Sequence, residues 1–113
     1  MNEYFYPRDG RKHYKDLEEA QKGMFQAFKN FNSEIFEKES ALSRKVKELI
    51  AIGVAHTTQC PYCIEGHVKA AKEAGATDQE IAEAIFVAAA LRAGGAFAHS
   101  TISMSVLKTM GKL

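Results

Sequence analysis

Four residues near the middle of the chain carry side chains that could do redox chemistry together. They are Glu48, Cys60, Cys63 and His67, in the spacing E-x11-C-x-x-C-x3-H. The chain has 2 cysteines in 113 residues, which excludes a disulfide scaffold of the secreted type. A thiolate can attack an electrophilic oxygen or sulfur, a nearby acid can protonate the leaving group, and a second thiol can close a disulfide. The pattern therefore indicates a thiol peroxidase or a disulfide reductase.

The local sequence predicts that the cysteine pair begins a helix. Pro61 suits the first helical position, where its missing N–H would be unpaired anyway, so Cys60 is expected to be the N-cap. Cys63 then lies in the first turn, where unpaired N–H groups and the helix dipole favour a thiolate. His67 follows one turn later on the same face. Glu48, on the preceding helix, either faces solvent or is a partly buried carboxylate that completes a proton relay.

The residues alone leave the nucleophile open between the two thiols. Thioredoxin-type motifs use the first cysteine, which favours Cys60, whereas only Cys63 has His67 one turn away; the relay argument favours Cys63. Two further interpretations compete with redox chemistry. One is a zinc-binding module, in which both cysteines and His67 would be joined by His56 or His99. The other is a structural oligomeric module in which the thiols are simply buried small side chains.

Helical periodicity runs through almost the whole chain, and strand signals are weak. A first amphipathic helix is predicted to end at residues 30–33, followed by a short turn that Ser33 caps and that continues through Phe36. A connector then leads to Ser43, where a second long helix is predicted to begin.

Three further helices are predicted in the second half of the chain. Gly75 is expected to end the cysteine-bearing helix in a left-handed conformation. Thr77 and Glu80 form a capping-box pattern that opens a fourth helix, which is expected to run to about Leu91. A fifth helix is predicted over about residues 94–110.

The chain is small, so its core has little stability to spare. A mass of 12.5 kDa predicts one domain that buries about two-thirds of its surface and leaves roughly 6,200 Å² exposed. Residues 82–98 are rich in alanine and glycine, which lets helices pack closely, either within one chain or between subunits. Self-association is therefore expected.

Charge and hydropathy argue against several classes of protein. The net charge is +1 with no long run of either sign, so a nucleic-acid binder is not expected. Arg92 and the Gly94-Gly95 pair interrupt the most apolar stretch, so no membrane segment is expected. The N-terminus lacks the apolar core of a secretory signal, which predicts a cytoplasmic protein. No flavin, haem or nicotinamide fingerprint is present in the sequence, so no cofactor is expected.

The spacing of Glu48, Cys60, Cys63 and His67 resembles the active-site signature of the AhpD-like alkylhydroperoxidase group within the carboxymuconolactone decarboxylase superfamily. The similarity extends over about residues 47–85 and includes the Gly-Ala-Thr junction between two helices. Its motifs are specific, because four functional residues stand at fixed spacing.

Periodicity and resemblance together predict an all-α fold. The expected architecture is a compact, single-domain AhpD-like helical bundle of about five to six helices over residues 1–113, with its motif core at about residues 43–92. The resemblance also implies that the chain assembles into a homo-trimer or a homo-hexamer.

The resemblance assigns a role to each residue of the signature. It makes Cys63 the peroxidatic thiol and Cys60 the resolving thiol, with His67 and Glu48 in the proton relay. The implied activity is reduction of hydrogen peroxide or organic hydroperoxides. The implied reductant is a thiol or dithiol, such as a lipoylated protein, a thioredoxin-like protein or a small thiol. A disulfide reductase or redox sensor without peroxide turnover is the alternative. Lactone decarboxylation is not expected, because the decarboxylases proper lack the cysteine pair.

Three other residues are candidates for supporting roles. Tyr62 lies where the best-known AhpD has a histidine, and a phenol cannot replace that base near neutral pH. His99 belongs to an R-A-G-G-x-x-x-H segment that resembles one in family members outside AhpD itself. It is expected either to approach the cysteines from the last helix or to be a structural hydrogen-bonding group. His56 lies one turn before Cys60.

Overall fold

The computed structural model describes residue 7 and residues 9–111, and this part of the chain is helical without a strand. A short 3-10 helix, Gly10–His13, is followed by five α-helices: α1 (Tyr14–Ala20), α2 (Lys22–Phe36), α3 (Arg44–Thr58), α4 (Pro61–Glu73) and α5 (Asp78–Thr109). The prediction of a single all-α domain is confirmed. Residues 1–6, on which the expectation about a secretory signal depends, lie outside the described residues.

Helices α3 and α4 and the N-terminal part of α5 pack around a small core. Its fully or almost fully buried members are Ile52, Ala71, Ala76 and Ile81. Three larger side chains pack against these residues: Leu49, Val68 and Ile85. Because two core members are alanines, the helices approach closely. Glu48 is the buried charged residue beside this core, at 6% exposure.

The predicted start and stop signals around this core are confirmed. Ser43 Oγ accepts a hydrogen bond from the Val46 N–H at the start of α3. Thr77 and Glu80 form the reciprocal capping box at the start of α5, at 2.9 and 3.0 Å. Gly75 has φ +95°, a left-handed conformation that costs a glycine little.

The N-terminal helices differ from the prediction in two places. Gln21, with φ −147° and ψ 74°, divides the expected first helix into α1 and α2. Helix α2 then continues through residues 30–33 and ends at Phe36. Asn and Ser disfavour a helix interior by no more than about 0.7 kcal/mol, so they do not end a helix by themselves. In addition, Lys47 on α3 binds carbonyl groups at the end of α2 and so stabilises its last turn.

The two predicted C-terminal helices are one helix. The prediction of a break between Leu91 and Gly94 is wrong, because α5 runs without interruption for 32 residues. Each glycine costs a helix about 1 kcal/mol relative to alanine, but it keeps its backbone N–H and clashes with nothing. Without a proline, the hydrogen-bond ladder continues through the Gly94-Gly95 pair.

Most of α5 extends beyond the core. The chain measures 58 × 35 × 35 Å and exposes 8941 Å², against about 6,200 Å² expected for a folded monomer of this mass. Large apolar side chains account for much of this surface, including Phe86, Leu91 and Phe97 at 67–81% exposure. By length and composition α5 could cross a membrane, with a mean hydropathy of 1.6 over an 18-residue window that is 6% buried. Arg92 and the Gly94-Gly95 pair do not interrupt this helix. Helices in subunit interfaces can also be long and apolar.

Candidate active site

A two-residue turn between α3 and α4 places both thiols at one helix terminus. Gln59 ends α3 in the left-handed conformation, with φ 60°. The N–H of Cys60 then binds the Ala55 carbonyl oxygen at 3.2 Å. Cys60 is the N-cap of α4, and its Sγ accepts a hydrogen bond from the Cys63 N–H at 3.2 Å. The two sulfur atoms are joined as a disulfide, with Cα atoms 5.2 Å apart. The predicted N-cap, with Pro61 at the first position, is therefore confirmed.

The carboxylate of Glu48 and the imidazole of His67 meet between α3 and α4. Their Oε2 and Nδ1 atoms are 2.6 Å apart. Since an ionised carboxylate can only accept, Nδ1 carries the hydrogen and donates it. This leaves Nε2 as the imidazole nitrogen available to a reacting group. Of the two readings of Glu48 from sequence, the structure favours the buried carboxylate over the solvent-facing one.

His67 and Cys63 lie at the edge of one pocket, with a cavity volume of about 440 Å³. Most of the pocket wall is aliphatic or aromatic, formed by Ile35, Phe36, Leu42, Ile50, Ala51, Val54 and Ala55. Lys47 and Thr58 complete the lining. A volume of this size is typical of sites for small organic molecules, which are mostly apolar with a few polar groups. The pocket therefore brings apolar surface to the thiol and the imidazole.

Phe36, at the end of α2, packs on the imidazole from the side of the pocket. The ring centroids of Phe36 and His67 are 5.0 Å apart, and the planes are inclined by 38°. Sequence reasoning missed this residue, which it placed in a short turn. A lone phenylalanine at a helix end carries no signal that distinguishes contact with an active-site histidine from ordinary core packing.

The segment before α1 covers the first turn of α4. The Tyr62 hydroxyl donates to the Pro7 carbonyl oxygen at 3.0 Å, and the Arg11 guanidinium donates to the Tyr62 carbonyl oxygen. Glycines make room for both groups: a Cβ on Gly10 would lie 2.7 Å from the tyrosine hydroxyl oxygen, and a Cβ on Gly66 would lie 2.7 Å from an Arg11 nitrogen. Tyr62 thus anchors the N-terminal segment to the turn that carries the thiols.

The remaining candidate residues are not drawn into this pocket. His56 Nδ1 is 2.8 Å from the Ile52 carbonyl oxygen of its own helix, to which it donates. His99 is exposed on α5 and is absent from the pocket lining. Within residues 9–111, no three His, Cys, Asp or Glu side chains form a group that could hold a metal ion. The structure thus brings together the four residues of the signature and leaves the other histidines outside.

Comparison with known proteins places this arrangement in a family. Residues 22–102 match the carboxymuconolactone decarboxylase family, a range that includes α2, α3, α4 and most of α5. The chain belongs to the carboxymuconolactone decarboxylase family. This family includes AhpD-like proteins, and its enzymes are decarboxylases and peroxidase-like proteins. The resemblance found in the sequence is confirmed at the level of the family.

The chain is also similar to a protein from Paracoccus denitrificans. It is named "uncharacterized protein 4 in cox locus" and is 56% identical over 69 residues. These residues are 61% of this chain and 62% of that protein, so the similarity spans less than two-thirds of the relative. The four signature residues all lie inside the family match, whereas Arg11 lies before its first residue.

Proposed function

We propose that this chain is a thiol-dependent peroxidase of the AhpD-like type, which reduces organic hydroperoxides and hydrogen peroxide. One observation carries the proposal: Cys63 and His67 line the same apolar pocket, while buried Glu48 binds His67 through Nδ1. A nucleophile, a proton donor oriented by a third group and a resolving thiol are the parts that such a reaction needs.

In the proposed cycle, Nε2 of His67 first takes the proton of the Cys63 thiol, which leaves the thiolate that the first turn of α4 favours. Its sulfur attacks the terminal oxygen of a hydroperoxide, ROOH, and the O–O bond breaks. The departing RO⁻ takes a proton from His67 and leaves as the alcohol ROH. Cys63 is now a sulfenic acid, and the Cys60 thiol attacks its sulfur, which releases water and forms the disulfide. One hydroperoxide and two thiols thus give one alcohol, one water and one disulfide.

The disulfide must be reduced by a two-electron donor before the next cycle. We propose a thiol or dithiol reductant, supplied as a lipoylated protein, a thioredoxin-like protein or a small thiol. Exchange proceeds by attack of the donor thiolate on one sulfur of the pair. Cys60 is partly exposed, so a donor thiol can approach it.

A single-turnover experiment tests the activity. The reduced protein is mixed with one equivalent of cumene hydroperoxide, and we expect two thiols per chain to disappear and a Cys60–Cys63 disulfide to form. Cys63→Ser should abolish the reaction, whereas Cys60→Ser should stop at a sulfenic acid on Cys63, which dimedone labels. If peroxide leaves the thiol count unchanged while small disulfides oxidise the pair, the protein is a disulfide reductase or thiol sensor and the proposal fails.

We also propose that the working particle is a homo-oligomer, a homo-trimer or homo-hexamer. The support is the apolar surface that one chain leaves exposed, on α2 through Met24, Phe28 and Phe31, and on α5. Burying such surface between copies contributes about 25 cal/mol per Å². Light scattering on the protein purified without detergent should give three or six times 12.5 kDa. A stable monomer, or recovery only in detergent from the membrane fraction, would overturn this assignment.

A further inference from the structure

We propose that Lys47 and Phe36 are positioning residues for His67. In this arrangement Lys47 ties the end of α2 to α3, and the tie holds the Phe36 ring against the imidazole. The inference rests on the proposed function for its kinetic consequence, but its structural content is independent of any turnover. It adds two residues that lie outside the E-x11-C-x-x-C-x3-H signature.

Lys47 makes two charge-assisted hydrogen bonds, one to the last turn of α2 and one to the segment just beyond it. Its Nζ atom donates to the Ile35 carbonyl oxygen at 2.7 Å and to the Lys38 carbonyl oxygen at 2.8 Å. The last carbonyls of a helix have no donor within the helix and carry the negative end of its dipole, so an ammonium group there is favourable. The two acceptors flank Phe36 in the sequence, so the tie fixes the backbone on both sides of that residue.

Within a single chain, little besides its last turn holds α2 against α3. Its apolar face is largely in solvent, with Met24, Phe28 and Phe31 at 64–72% exposure. The residues that α2 contributes to the pocket, Ile35 and Phe36, belong to its last turn. The position of this turn therefore depends strongly on the bonds from Lys47.

Phe36 supplies a restraint on His67 that the hydrogen bond to Glu48 does not. One hydrogen bond fixes the position of Nδ1 but lets the imidazole tilt about the bond, which would swing Nε2 across the pocket. The Phe36 ring, 5.0 Å away between centroids, limits that tilt by direct packing. Lys47 and Glu48 are consecutive on α3, so the two restraints on the imidazole start from adjacent residues.

Two variants test whether Lys47 and Phe36 position His67, and each has a matched control. Lys47→Met removes the donor and keeps the length of the side chain, while Lys45→Met removes the neighbouring lysine, which pairs with Glu80 of α5 at 3.0 Å. Phe36→Leu removes the ring that touches His67, and Phe25→Leu removes a ring of the same helix that packs on Tyr14 instead. The readouts are the imidazole signals of His67 in ¹H–¹³C and ¹H–¹⁵N spectra and the single-turnover rate of disulfide formation.

In Lys47→Met we expect the His67 signals to move toward their positions in Phe36→Leu, because the aromatic ring no longer shields the imidazole. Disulfide formation should slow about tenfold in both variants, less than the ~10²-fold loss that follows from misplacing a reacting group by 1 Å. Lys47→Arg should restore both readouts. The double variant of Lys47 and Phe36 should be no slower than the slower single variant.

Several results would overturn the inference. It fails if Lys47→Met leaves the His67 signals where Lys45→Met leaves them, or if the effects of the two substitutions add in the double variant. Where Lys47→Met does not fold, as judged by circular dichroism, Phe36→Leu decides: unchanged rate and unchanged pH profile contradict a positioning role. If the wild-type protein does not react with peroxide at all, the proposed function fails, and the His67 spectra still judge the tie.

Discussion

His67 donates its Nδ1 hydrogen to the Glu48 carboxylate across 2.6 Å, and the acceptor is among the most buried side chains of the molecule. The bond joins α3 to α4 at the edge of the core. It also fixes the tautomer of the imidazole, so that the chemistry of the pocket falls to Nε2. A buried carboxylate without this partner would be costly, so the pair also stabilises the fold.

We expect Glu48→Gln to slow disulfide formation by about 10²-fold, because a neutral amide stabilises the protonated imidazole less than a carboxylate does. Stopped-flow mixing of the reduced protein with hydroperoxide measures the rate. Glu34→Gln is the matched control, since Glu34 of α2 forms an exposed ion pair with Lys38. Equal rates for the two variants would remove Glu48 from the proton relay.

We expect the apolar pocket to favour organic hydroperoxides over hydrogen peroxide. Ile50→Ser places a hydroxyl in the wall, and we expect KM for cumene hydroperoxide to rise about tenfold while the rate with hydrogen peroxide stays the same, because hydrogen peroxide has no apolar group to bury. Ile50→Val, which keeps the wall apolar, should change neither. A parallel change with both peroxides would indicate that the pocket does not bind the organic group.

Gly66 is predicted to be needed where the N-terminal segment crosses α4. A methyl group there would displace the Arg11 guanidinium from the Tyr62 carbonyl, so Gly66→Ala should speed hydrogen exchange in the 3-10 helix. Gly53→Ala is the control, because its Cβ would lie 3.6 Å from the nearest atom, an ordinary contact. That variant should gain up to about 1 kcal/mol from helix propensity. Similar exchange in both variants would contradict the role of Gly66.

We expect the ionised carboxylate of Glu80 to stabilise the fold, and we expect this contribution to be lost in acid. The hydrogen bond from the Thr77 N–H, and then the one from Lys45, hold the pKa of Glu80 below its usual value of 4.5. Because the pKa is lower in the folded than in the unfolded chain, the ionised group stabilises the fold above about pH 4.5, and this contribution is lost as the pH falls through the folded-state pKa. Glu80→Gln should therefore be less stable than wild type at neutral pH, with the difference shrinking in acid.

Urea unfolding at several pH values measures this difference in the free energy of unfolding. Glu83→Gln, a substitution on the exposed surface of the same helix, is the control and should show a smaller pH dependence. A constant difference between Glu80→Gln and wild type across the acid range would show that the ionised carboxylate does not contribute.

Local signals in the sequence were sufficient for the features that depend on a few neighbouring residues. The helix start at Ser43, the N-caps at Cys60 and Thr77 and the left-handed Gly75 are all found where predicted, because each is decided by a side chain and the backbone within one turn. The same is true of the thiol pair, since a spacing of three residues at a helix start brings two sulfur atoms together.

Contacts between residues far apart in the chain could not be predicted from the sequence. The first helix was predicted to end at residues 30–33 and the fourth at about Leu91, before the Gly94-Gly95 pair, but the propensities of these residues are too small to end a helix by themselves. Lys47 stabilises the end of α2 from another helix, and Phe36 reaches His67 across 31 positions of chain. Neither residue has a type or spacing that marks such a contact.

The sequence by itself identified the candidate reactive groups of this protein: two thiols at a helix start, an imidazole one turn away and a carboxylate at fixed spacing. Only the tertiary structure decided that Glu48 is buried and bound to His67, that an apolar pocket opens beside Cys63, and that α5 continues into solvent. The reason is physical. Capping and helix-face spacing act within a few residues, whereas burial, pocket shape and the orientation of an imidazole arise from helices that meet only after the chain has folded.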